Sequence, residues 1–89
     1  MRRATIKDLK KGAYILSKKD KGTYILCKLL QETKDVIKEY NQWYLDVDIV
    51  GNTTDEYEKG KSRVPYPEPE RGGWKDYILT EDEVFAYLI

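Results

Sequence analysis

A near-repeat at a spacing of ten residues restricts this chain more than any other feature. Lys11-Gly12-Ala13-Tyr14-Ile15-Leu16-Ser17-Lys18 returns as Lys21-Gly22-Thr23-Tyr24-Ile25-Leu26-Cys27-Lys28. Each copy is a β-rich run bounded by Lys and Gly, and Lys19-Asp20-Lys21-Gly22 between them is a turn sequence. Two such runs joined by so short a connection read as an antiparallel β-hairpin. Two copies are too few for a solenoid, which needs about three or more units to bury a continuous core. The triplet Tyr-Ile-Leu recurs at Tyr77-Ile78-Leu79, where it marks a late strand.

The rest of the chain reads as β-rich as well. Trp43, Leu45, Val47 and Ile49 alternate with Tyr44, Asp46 and Asp48, the period-2 pattern of a strand with one wet face. Residues 36–40 form a short strand ahead of it; a helix over residues 29–40, which lack Gly and Pro, is the competing reading. Thr5-Ile6-Lys7-Asp8 resembles a capping box and opens a helical turn that Gly12 closes. Thr80-Glu81-Asp82-Glu83 fits the same box more fully and starts a second turn, after which residues 84–89 continue as helix or close as a strand. The fold class is therefore mainly β: four to six short strands in one small domain over residues 1–89, with helical turns near 5–11 and 80–86. The layout is similar to that of SH3-like barrels, in which a turn followed by Gly leads into the first strand. A small barrel of that kind or a curled antiparallel sheet is the architecture expected.

Net charge is zero but unevenly spread, +6 over residues 1–44 and −6 over residues 45–89. Basic early strands pairing beside acidic late ones would account for the split; a dipolar surface that steers partners is the other reading. No apolar run approaches the ~20 residues of a membrane span, and the first residues lack the apolar stretch of a secretory signal. The single cysteine can form no internal disulfide, and Cys27, between Leu26 and Lys28, reads as a small core hydrophobe. The expected setting is the cytoplasm.

Catalysis finds little support. There is no histidine, so the usual general base, metal ligand and Ser-His or Cys-His pairs are missing. Gly60-Lys61-Ser62 looks like the end of a phosphate loop, but Asp55 stands where the first glycine is needed and Val64-Pro65 follows instead of a helix. Asp46-Val47-Asp48 opens like a calcium loop, yet Val50 and Tyr57 occupy positions that require oxygen ligands. No catalytic residue, metal ligand or cofactor is assigned.

Residues 51–74 are the expected functional region. They hold all three prolines, four of the six glycines and nine charged side chains. A loop of this length in a compact domain is usually functional or disordered. Its binding candidates are Tyr57, Lys59, Lys61, Arg63, Tyr66, Arg71 and Trp74, since Tyr, Trp and Arg dominate binding hot spots. The expected function is a non-enzymatic module that docks on a partner protein and modulates or inhibits it, as small phage or mobile-element inhibitors do. The alternative is capture of a nucleotide-type ligand by Tyr/Trp stacking and Lys/Arg contacts, with a homo-oligomer supplying the pocket. A further alternative is single-stranded nucleic-acid binding by the hairpin, with Tyr14 or Tyr24 as platforms and Lys10, Lys11, Lys18, Lys19, Lys21 and Lys28 on the backbone. Lysines at strand ends also discourage edge pairing, and a pI near 6.3 is low for a nucleic-acid domain.

Overall fold

The structure is a computed structural model that describes residues 1–20, 22–32, 37–39, 42–53, 58–66 and 73–88. Among these, seven antiparallel strands form one sheet: β1 (Arg2–Arg3), β2 (Tyr14–Lys18), β3 (Tyr24–Leu29), β4 (Ile37–Glu39), β5 (Gln42–Asn52), β6 (Gly60–Tyr66) and β7 (Lys75–Leu79). A 3₁₀ turn over Ile6–Asp8 precedes β2, and a helical turn α1 (Glu81–Val84) runs into a second 3₁₀ turn, Phe85–Tyr87. The strand order is β1-β7-β2-β3-β5-β4, with β6 on the other flank of β5. The sheet curls on itself without closing into a barrel, and its class is the one expected.

The repeat forms the hairpin it promised. Tyr14 pairs with Lys28 and Lys18 with Tyr24, and the turn is fastened by Lys19 N–H to Thr23 O at 3.1 Å and Thr23 N–H to Asp20 O at 3.2 Å. Gly22 takes φ of 90° there, a conformation that costs a residue with a Cβ. Helix is excluded at both described ends of residues 29–40: Leu29 belongs to β3, and residues 37–39 are β4. Both strands run along the same flank of β5, β3 against its second half and β4 against its first. Where the chain leaves β5 between them, Gln31 takes over the ladder: its Oε1 accepts the Asp46 N–H at 2.8 Å.

Alternation along the strands divides the core in two. The concave face buries Ile15, Ile25, Cys27, Leu29, Leu45, Val47, Ile49, Val64 and Tyr66, with Leu9 from the first turn sealing one end. The convex face buries Leu16, Tyr24, Leu26 and Leu79 beneath Val84 of α1. The convex cover is placed by local chemistry: the Thr80 hydroxyl accepts the Glu83 N–H at 3.4 Å, and the Glu83 carboxylate accepts the Thr80 N–H at 3.0 Å. This is the capping box read from the sequence, and it settles the C-terminal alternative as helix through Tyr87. Beyond it Tyr87 packs edge-on against Tyr24, centroids 5.2 Å apart, and its carbonyl accepts the Tyr24 hydroxyl at 3.0 Å. That close seat depends on Gly51, because a Cβ at this position would stand 2.2 Å from the Tyr87 carbonyl oxygen.

Residues 51–74 do not form one long loop. Gly51 and Asn52 end β5, and residues 60–66 are the seven-residue strand β6, paired with β5 from Trp43↔Tyr66 to Ile49↔Gly60. β6 is the strand that the loop reading missed, and the strands on either side of it in sequence are longer than expected: β5 runs on to Asn52 and β7 starts at Lys75.

Candidate functional site

The residues proposed for the loop separate into different environments. Tyr57 and Arg71 lie outside the described residues. Tyr66 is 5% exposed, inside the concave core opposite Trp43. Burial pushes its phenol up to about 12, reinforced by the carboxylates of Asp76 and Asp8 and opposed by Arg3. It is a neutral, packed core residue and offers no exposed binding handle. Trp74 is half-buried and packs against the same cluster. Lys59, Lys61 and Arg63 are exposed. The last two face acids across the β5–β6 ladder: Lys61 pairs with Asp48 and Arg63 with Asp46, the latter as an ion pair with Nε 2.9 Å from Oδ1. These lysine and arginine positions therefore help to zip an exposed ladder. The structure brings none of the described loop candidates into a common aromatic and cationic pocket.

Two other surfaces hold the unspent chemistry. The first lies at the convex face beside α1. Phe85, the only phenylalanine in the chain, is 75% exposed, and Leu88 is 46% exposed. Together with half-buried Tyr14 and Val50 they line a groove of about 270 Å³ whose rim carries Glu81 and Asp82. Lys28 stands over the Tyr14 ring at 5.8 Å on the far side, across the ladder from Asp48. Val84 faces inward to fasten the turn, so Phe85 must face away from the core. Sequence reasoning missed this site; the signal was an apolar pair three residues apart, Phe85 and Leu88, after a capping box, in a turn too short to bury both sides.

The second surface is a groove of about 560 Å³ at the hairpin turn, lined by Lys18, Lys19, Asp20, Gly73, Lys75 and Tyr77. Lys18 and Lys19 were legible as part of a basic hairpin, but Lys75 and Tyr77 join them only through the β2–β7 pairing.

Deeper in the sheet, the Ser17 hydroxyl donates to the Asp76 carboxylate across β2 and β7, and both residues are buried. Near the first turn, Arg2 clasps Asp8 with two hydrogen bonds of 2.6 and 2.9 Å. That pairing, with Thr5 hydrogen bonds, holds the Asp8 carboxyl down at about 2 against the cost of burial. Among the described residues no three His, Cys, Asp or Glu side chains are grouped to hold a metal ion. No described helix is long and apolar enough to cross a membrane. No protein-family model, curated protein or solved structure matches the chain.

Proposed function

We propose that this protein is a non-enzymatic binding module that docks on a partner protein through the groove beside α1. The observation that carries this reading is Phe85, a large apolar side chain 75% exposed beside a second exposed apolar residue and over a preformed depression. Exposed aromatic clusters of this kind mark interaction surfaces, and Phe and Tyr supply much of the area that such contacts bury. The acidic rim of Glu81 and Asp82 selects the partner: an amphipathic segment with an apolar face flanked by Lys or Arg. Such a module acts by occupying or blocking its partner's surface, in the cytoplasm, without chemistry of its own. The docking face thus moves from residues 51–74 to the convex side of the sheet, where the apolar side chains are accessible.

The test uses two labelled amphipathic helical peptides with the same leucine face, one flanked by Lys and one by Glu, and reads fluorescence anisotropy. The Lys peptide should bind the full chain at least about tenfold more tightly than the Glu peptide, a gap of roughly 1.4 kcal/mol, and Phe85→Ser should abolish the binding. Equal affinity for both peptides, or an unchanged affinity in Phe85→Ser, would reject the surface. Sedimentation of the free protein covers the remaining occupant: a dimer that Phe85→Ser dissolves means that a second copy, and no separate partner, fills the groove.

A further inference from the structure

The register of β2 against β7 sets Lys18 directly across from Lys75. Like charges placed opposite one another weaken a ladder, and elsewhere on this sheet the chain avoids the arrangement. Lys28 and Lys61 both face Asp48, and Arg63 faces Asp46. Lys18 is half-buried and Lys75 exposed, and Lys19, exposed just past the end of β2, adds a third ammonium. Among the described residues none of the three is held in an ion pair, and the one acid that lines their groove is Asp20. The usual excuse for a strand lysine is protection of an open edge. It does not serve Lys18, because β2 is flanked by β3 on one side and β7 on the other.

The same convex face supplies an aromatic neighbour. Two pairs further along the ladder, and so on the same face, Tyr77 lies across from Leu16, and on its other side it faces Arg3 of β1. The Arg3 guanidinium stands over the Tyr77 ring at 5.6 Å from its centroid. A stacked guanidinium and phenol next to three ammonium groups combine the two elements that nucleotide recognition requires: a flat cationic surface for a base and fixed positive charge for phosphates. The groove volume of about 560 Å³ falls within the range of small-ligand sites.

We infer that the groove between the hairpin turn and the start of β7 binds a nucleoside polyphosphate, with Lys18, Lys19 and Lys75 on the phosphates and the Arg3–Tyr77 stack against the base. The Lys18–Lys75 repulsion is then an apo-state cost that the bound anion relieves. The site is separate from the Phe85 groove and does not depend on it.

The experiment titrates the full-length protein with ATP, sodium tripolyphosphate and an oligothymidylate, reading amide resonances of residues 17–20 and 73–77 together with thermal unfolding. ATP should shift those resonances and raise the melting temperature. Lys18→Gln and Lys75→Gln should each weaken ATP about tenfold, the scale of one lost charge-assisted contact, while the ligand-free variants melt at or above the parent temperature. Phe85→Ser should bind ATP as the parent does. No response to millimolar ATP, or a parent-like response in the Lys18→Gln/Lys75→Gln protein, overturns the site. A variant that melts below the parent overturns the repulsion argument on which the site rests. Tripolyphosphate binding as well as ATP would remove the base from the assignment. Preference for oligothymidylate with steep loss in salt would make the ligand a single strand and the nucleotide assignment wrong.

Discussion

The concave and convex faces of this sheet are built by the same strands, one residue out of step, and they meet opposite conditions. The concave face encloses its own contents: Leu45, Val47 and Ile49 of β5 meet Ile25, Cys27 and Leu29 of β3, and the ends are stopped by Leu9 and by the packed rings of Trp43, Tyr66 and Trp74. Curling brings these side chains together without help. The convex face has no such recourse, because curvature spreads its side chains apart. It borrows a cover from α1 and the turn after it, which reaches Leu16, Tyr24, Leu26 and Leu79 and stops. Phe85, Leu88, Lys18, Lys75 and Tyr77 lie where that cover ends. A small sheet thus stabilises itself on its concave side and leaves its convex side only partly covered.

This contrast can be broken from either side. Leu45→Ala, at a position 2% exposed, opens a cavity in the self-enclosed face and should cost about 2–5 kcal/mol; denaturant unfolding should show a lower midpoint with every spectroscopic probe moving together. Gly51→Ala attacks the borrowed cover instead. Its new Cβ runs into a backbone oxygen, which cannot rotate away as a side chain would, and the expected cost is about 1–3 kcal/mol. Here the probes should separate: the near-ultraviolet signal of the Tyr24–Tyr87 pair should be lost while the far-ultraviolet β signal persists. Simultaneous loss of both signals would mean that the two faces form one cooperative unit. Thr80→Ala, which removes the side-chain cap of α1, should cost roughly 1 kcal/mol and loosen the same cover more gently.

Titration gives the smallest effects and samples the concave side at its two extremes of pH. The Tyr66 phenol is raised to about 12, so its contribution to stability is complete below pH ~10, the ordinary tyrosine value, and is lost as pH rises through about 12. Phenolate absorbance should show one tyrosine ionising late, and Tyr66→Phe should remove that component. Asp8 is shifted the other way, from 3.8 to about 2. Its stabilisation is present above the ordinary carboxylate range and is lost as pH falls towards about 2. Asp8→Asn should flatten the acid limb of the stability profile slightly, since the Arg2 partner is exposed and solvent screens the pair.

What was legible in the sequence follows the range of the interactions. The hairpin, the β5 alternation and the Thr80 capping box are set by residues close in sequence, and each can be read from spacing alone. Strand β6 hid behind Pro65 and the two prolines that follow it in sequence, Pro67 and Pro69. Yet Pro65 lies on a strand that pairs only with β5 among the described residues, and an edge strand can seat a residue that lacks its N–H. Ser62, a small polar residue on the concave side of the alternation, further masked the pattern that Val64 and Tyr66 continue. The two candidate surfaces were harder still. Lys75 becomes a neighbour of Lys18 only once β7 is paired with β2, and neither local propensity nor charge count specifies which strands will meet.

That pairing has a consequence for how the molecule comes into being. Strand β7 lies between β1 and β2, so Tyr14 meets Leu79 and Arg2 meets Ile78. Loop closure across most of the chain must come before either ladder returns any energy, and sheets of such distant partners fold slowly for their size. A chain emerging from the ribosome can form the β2–β3 hairpin early, but it must wait with one flank of β2 open until β7 arrives. Open strand flanks recruit other chains, so the interval before β7 docks is when this protein is most exposed to aggregation.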